Sequence, residues 1–233
     1  MIEIFLYSFI YVVLLTPYGF ILTNENKVNL YCFSKDLIFG TILICFIAII
    51  INFFSPLNLF INNIILLIPL IVLIKNRHRY LNLKFIKFII LISILLTFLI
   101  TESNVYRPDA GLYHLPFIGI LNSEKIIMGL SNLHFRYGHT SIIQYLSAAN
   151  YNSIFKDNGI VFAQAIIASA IMLNFIFQIH KYLLSKKYNF HLYFLFFILV
   201  FIFYKMNRYS EYGNDAPAHF VYFFFISEVI LYL

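Results

Sequence analysis

The sequence predicts an all-α, polytopic transmembrane helix bundle of about seven spans, with two short amphipathic interfacial helices in a long extracytoplasmic loop. Three observations carry that prediction. The 233 residues are 62% hydrophobic and only 11% charged, whereas soluble domains carry about a quarter charged residues. Seven apolar stretches lie at 4–22, 37–54, 57–74, 83–100, 160–179, 188–204 and 216–233. They approach the roughly 20 helical residues that a bilayer core requires. The basic residues cluster in the segments between those stretches, where topology is encoded.

Taken in order, the first stretch follows Met1, Ile2 and Glu3 with no basic leader, so it is expected to remain as a span. The third contains Asn58, Asn62 and Asn63, which are too polar to face lipid and should contact other helices. Lys84 and Lys87 at the start of the fourth must snorkel. Ala163, Ala165, Ala168, Ser169 and Ala170 give the fifth a small-residue surface for close helix packing. Tryptophan is absent, so the 18 tyrosines must form the interfacial belt.

The charges set an orientation. Lys75, Arg77, Arg79, Lys84 and Lys87 follow the third stretch, and Lys181, Lys186 and Lys187 follow the fifth. Placing both groups in the cytoplasm brings Lys27 and Lys35 with them. Ten basic residues then oppose six: Arg107, Lys125, Arg136, Lys156, Lys205 and Arg208. The N-terminus, the loop 101–159 and the loop 205–215 share the extracytoplasmic face. With its basic residues so placed, the net charge of +6 points to membrane lipids as partners and not to nucleic acid. Cys32, read as lying in a polar loop, and Cys45, in an apolar run, form neither a disulfide framework nor a metal pair. With no repeat or linker, residues 1–233 form a single integral membrane domain. Because the chain stops at Leu233 inside an apolar run, it is expected to be the N-terminal part of a longer protein.

The candidate chemistry is in the polar segments. Ser123 followed by Ile126, Ile127, Leu130 and Leu133 predicts one amphipathic helix. Thr140 and Ser141 followed by Ile142, Ile143 and Leu146 predict the second, and both should lie flat over a cavity. Asp109, Tyr113 and His114 would share a helical face, as a base and its partner or as metal ligands. The plain alternative for Asp109 is a helix cap. His134, Arg136 and His139 concentrate donors suited to phosphate or sugar, or else form a polar connector against headgroups. Asp215 begins the last stretch two residues before Pro217, with His219 one turn on. Two such groups inside the membrane edge imply a wet or paired environment.

Three strings carry a resemblance: Asp109 to Pro116 (DAGLYHLP), Gly129 to Ser141 (GLSNLHFRYGHTS) and Tyr212 to Pro217 (YGNDAP). They resemble a poorly characterised family of bacterial polytopic membrane proteins associated with surface-polysaccharide genes, which is similar in turn to the GT-C type glycosyltransferases. The resemblance spans about residues 101–220. It implies an enzyme of the bacterial inner (cytoplasmic) membrane that transfers sugar from a polyprenyl-phosphate donor on the extracytoplasmic face. Asp109 and Asp215 would then be catalytic. Tyr113, His114, His134, Arg136, His139 and His219 would bind substrate, and a divalent cation is a candidate cofactor at Asp109. The other readings are a glycolipid or anion transporter lined by Asn62, Asn63, His219 and Glu228, and a non-catalytic subunit or truncated remnant.

Overall fold

A computed structural model describes residues 1–102, 108–138, 141–204 and 215–232. Within them every regular element is helical. Four helices are long and apolar enough to cross a membrane: Ile2–Thr23, Leu30–Phe54, Leu83–Thr101 and Lys156–Leu184. Leu59–Lys75, Phe190–Tyr204 and Ala216–Leu231 are shorter apolar helices. In chain order the elements are α1 (Ile2–Thr23), α2 (Leu30–Phe54), α3 (Leu59–Lys75), α4 (Arg77–Tyr80), α5 (Leu83–Glu102), α6 (Leu115–Ser123), α7 (Ile142–Ala149), α8 (Lys156–Leu184), α9 (Phe190–Tyr204) and α10 (Asp215–Tyr232).

Asparagines punctuate the chain. The side chains of Asn29, Asn58 and Asn189 accept from the backbone N–H groups of Cys32, Ile61 and Leu192, which caps α2, α3 and α9. Asn29 therefore starts α2 seven residues before the apolar run does, and Cys32 is buried inside a helix, not in a polar loop. Lys35 and Asp36 interrupt the apolar run, and both are paired within the fold.

α8 is the central helix, touching α2, α5, α7, α9 and α10, and its small residues Ala163, Ala165, Ala168, Ser169 and Ala170 are all buried. α1 packs most closely on α2. A Cβ at Gly19 would lie 1.6 Å from the Asp36 carbonyl oxygen, and one at Gly40 would lie 2.4 Å from that of Leu15. Only glycine allows these backbones to approach so far. In α3, Pro69 has no N–H to pair with the Ile65 carbonyl, and the Tyr18 hydroxyl donates to that oxygen instead.

The bundle has two unlike ends. At the basic end lie the turns 24–29, 76–82 and 185–189. At the other, the described part of the segment 108–155 forms a cap. The first predicted amphipathic helix is displaced: Ser123 ends α6, and the chain then turns at Gly129, whose φ of +78° only glycine adopts without strain. Pro116 explains the shift by starting a helix seven residues upstream of Ser123. The second helix is where the pattern put it, but it is buried within the protein instead of lying on its surface. Every residue from Ile143 to Ala149 is buried, so α7 is a plug between α2, α6 and α8.

Candidate functional site

The cap is held by amide side chains. The Asn62 amide nitrogen donates to the carbonyls of Leu57 (2.7 Å), Ala148 (2.9 Å) and Tyr151 (2.7 Å). Asn52 donates to those of Leu121 (3.3 Å) and Glu124 (3.0 Å). Asn63 exchanges two bonds with Ser153. Backbone bonds from Leu57 N–H to the Leu121 carbonyl and from Ile126 N–H to the Asn52 carbonyl complete the seam. Asn62 and Asn63 thus reach the cap, Asn62 contacting helix α7 at Ala148 and Asn63 contacting Ser153 beyond it.

On this base the first two predicted clusters meet. Residues 110–114 form a single widened helical turn ahead of α6. Asp109 lies just before it in helical conformation, exposed and making no cap hydrogen bond, so capping does not account for it. His114 is 5% exposed, and its Nδ1 lies 3.0 Å from the Gln144 amide nitrogen. The Gln144 oxygen accepts from the Ser141 backbone N–H (3.2 Å), which fixes the amide's orientation. Nδ1 must therefore accept, and the proton of the neutral ring sits on Nε2. One residue, Gln144, closes the capping box of α7 and sets the tautomer of His114.

The Arg136 guanidinium lies 5.1 Å from the centre of the Tyr113 ring and 5.3 Å from that of Phe135. No ion pair is formed by Arg136 among the described residues. The Tyr113 and His114 rings are 4.1 Å apart. His134 stacks on Phe135 at 5.2 Å, and its Nδ1 accepts from the Arg136 backbone N–H at 3.3 Å. Tyr137 rests on Phe117 at 5.8 Å, anchoring this turn to α6. An arginine held against two rings, with no carboxylate to neutralise it among the described residues, keeps its planar fork for an anionic oxygen.

Beside the cluster, Phe117, Lys125, Ser131, Tyr137 and Tyr145 help line a mostly apolar cleft of about 210 Å³. Burial pushes the Tyr145 phenol up, so it remains a neutral donor. Among the described residues, none of the predicted site residues lines that cleft. Among the described residues no three His, Cys, Asp or Glu side chains converge as a metal site.

The third cluster lies largely outside the described residues. His139 and the loop 205–214, with Lys205 and Arg208, lie outside the described residues, as does Arg107. Asp215 is the first residue of α10, but its side chain is outside them too. His219 is exposed on α10, with its ring 6.5 Å from that of Phe223. Farther down α10, Glu228 accepts from Lys35 (2.8 Å) and Tyr31 (3.0 Å) at the basic end. Thirteen residues at about 1.5 Å each carry Asp215 about 20 Å toward the cap end. Sequence reasoning missed Gln144, although its place three residues after Ser141 marks a capping box. It also missed Phe135, which only the folded turn brings under Arg136.

Fold and composition define the class: an all-helical protein with several helices suited to spanning a membrane. Within that class, the chain belongs to the family described as a domain of unknown function (DUF8201), whose model matches residues 1–233. No curated protein and no solved structure matches it.

Proposed function

We propose that this is a seven-span protein of the bacterial cytoplasmic membrane, whose cap faces the extracytoplasmic side and transfers a sugar from a polyprenyl-phosphate donor. The observation that carries the reading is Arg136, held over Tyr113 and Phe135 without a carboxylate partner among the described residues. Such a guanidinium suits the phosphate of a lipid-linked donor, whose prenyl tail would run between the helices. GT-C resemblance and the association with surface-polysaccharide genes belong to the same proposal.

In the proposed reaction the acceptor hydroxyl oxygen forms a bond to the anomeric carbon as the bond from that carbon to the donor phosphate breaks. Asp109 takes the hydroxyl proton, and the phosphate departs with the electron pair. Charge grows on the leaving oxygen during the step, where Arg136 and the Nε2 donors of His114 and His134 act most strongly. Tyr113 carries Arg136. His139, Asp215 and His219 are proposed to orient substrate, and a divalent cation at Asp109 is not required by these steps.

Asp109→Asn tests the reading in cells that make the glycan. Loss of a general base lowers transfer on the order of 10²- to 10⁴-fold. Unchanged glycan at normal protein level rejects the role.

A further inference from the structure

The basic end carries a second cleft. The α8–α9 turn, the start of α2 and the end of α10 enclose a cleft of about 380 Å³, lined in part by Lys181, Lys187, Asn189, Tyr182, Phe177 and Leu231. The turn that builds it is sharp. Lys186 adopts a left-handed φ of +51°, and the Lys187 N–H returns to the Tyr182 carbonyl at 3.0 Å. That reversal folds Lys187 back over the last turn of α8, which contains Lys181.

The lining is rich in donors and poor in negative charge. Neither Lys181 nor Lys187 has a carboxylate within 4.0 Å among the described residues, where the ion pairs are Lys35–Glu228 and Arg79–Asp36. The nearby Glu228 carboxylate is occupied by Lys35 and Tyr31. The Asn189 oxygen accepts from Leu192 N–H, so its amide nitrogen is the end left to donate. Depth completes the argument. α8 has 29 residues, about 43 Å of helix, against a hydrocarbon core of about 30 Å. A helix of that length extends past the core, and the charge of Lys181 favours headgroup level for its last turn, with Phe177 one turn deeper on the cleft wall.

We infer that this cleft binds the phosphate headgroup of an anionic phospholipid, with Lys181, Lys187 and Asn189 on the phosphate and an acyl chain along Phe177 and Leu231. Basic pockets between helices at the cytoplasmic surface take such headgroups. The inference does not rest on sugar transfer, and its test reads lipid, not glycan.

The full chain, purified from bilayers of phosphatidylcholine and phosphatidylglycerol, is examined for retained lipid by native mass spectrometry. Wild type should keep phosphatidylglycerol over phosphatidylcholine, and Lys181→Gln/Lys187→Gln should cut retention on the order of tenfold. Lys84→Gln/Lys87→Gln, with the same change of charge, should retain it, and Lys181→Arg/Lys187→Arg should restore most of it. Equal loss in both glutamine pairs overturns the site, as does unchanged retention in the first. Displacement of the lipid by millimolar inorganic phosphate overturns the assignment to a phospholipid and gives the cleft to the free anion.

Discussion

The two ends of the bundle use polar residues in opposite ways. Inside the basic end charge meets charge, with Lys181 and Lys187 left unpaired at its surface among the described residues. Asp36, fully buried, pairs with Arg79 at 2.5 Å, and Arg79 also donates to the Glu25 and Lys27 carbonyls while lying 4.8 Å and 4.9 Å from the Phe20 and Phe33 ring centres. Lys35 and Glu228 do the same between α2 and α10. At the cap end neutral asparagines hold backbone carbonyls, and the ionisable Asp109 and Arg136 are exposed without ion-pair partners among the described residues. A paired charge inside a bundle is a joint, because separating it leaves an uncompensated ion in a poor solvent. An unpaired charge on a rigid base is available to a ligand. The comparison therefore assigns ligand binding to the unpaired charges, Arg136 at the cap and Lys181 and Lys187 at the surface of the basic end, and mechanical closure to the buried Asp36–Arg79 joint.

The largest expected effect tests that division directly. Arg79→Met strands the Asp36 carboxylate and should cost about 3–5 kcal/mol, the usual consequence of breaking a buried pair. Arg136→Met loses only exposed cation–π contact and should cost about 1 kcal/mol or less. Thermal unfolding of both variants in one detergent compares them, and equal losses would abolish the contrast between the ends.

Next in size is the seam beneath the cap. Asn62→Leu leaves the Leu57, Ala148 and Tyr151 carbonyls without its amide, at about 1–3 kcal/mol. Because two of the bonds join α3 to Ala148 at the end of α7 and to Tyr151 just after it, the expected signature is local. Amide hydrogen exchange should quicken across 142–155 and stay unchanged around Asp36. Uniform acceleration would mean that the cap is not a separable layer.

These joints also explain what the sequence alone could and could not say. Helices occupy all seven apolar stretches, because sustained hydrophobicity is local information. The start of α2 was missed because Lys35 and Asp36 read as loop residues until Glu228 and Arg79, far along the chain, neutralise them. The amphipathic pattern after Ser123 misled because those apolar residues surround a turn at Gly129, not one helix face. α7 was located by its cap, yet its burial depends on α2, α6 and α8 together. Of the site, residue types pointed to Asp109, His114 and Arg136. Gln144 lies 30 residues from His114, a pairing that no single window displays, whereas Phe135 adjoins Arg136 and is brought under it by the local turn.

The smallest expected effect concerns the ring that carries Arg136. Tyr113→Phe keeps an aromatic face 5.1 Å from the guanidinium, whereas Tyr113→Leu removes it. An exposed cation–π contact is worth about 0.5–1 kcal/mol, so the leucine variant should bind a short-chain prenyl phosphate roughly two- to fivefold more weakly, and the phenylalanine variant nearly as well as wild type. Calorimetry on the purified full chain measures both. The two substitutions bury similar apolar area, so a simple packing role predicts that they behave alike, and only a platform for the guanidinium separates them. Should the pair prove indistinguishable while Arg136→Gln still abolishes binding, the arginine acts without its aromatic support. The order of the site would then come from the His114–Gln144 contact and the asparagine seam beneath it, and not from the Tyr113 ring.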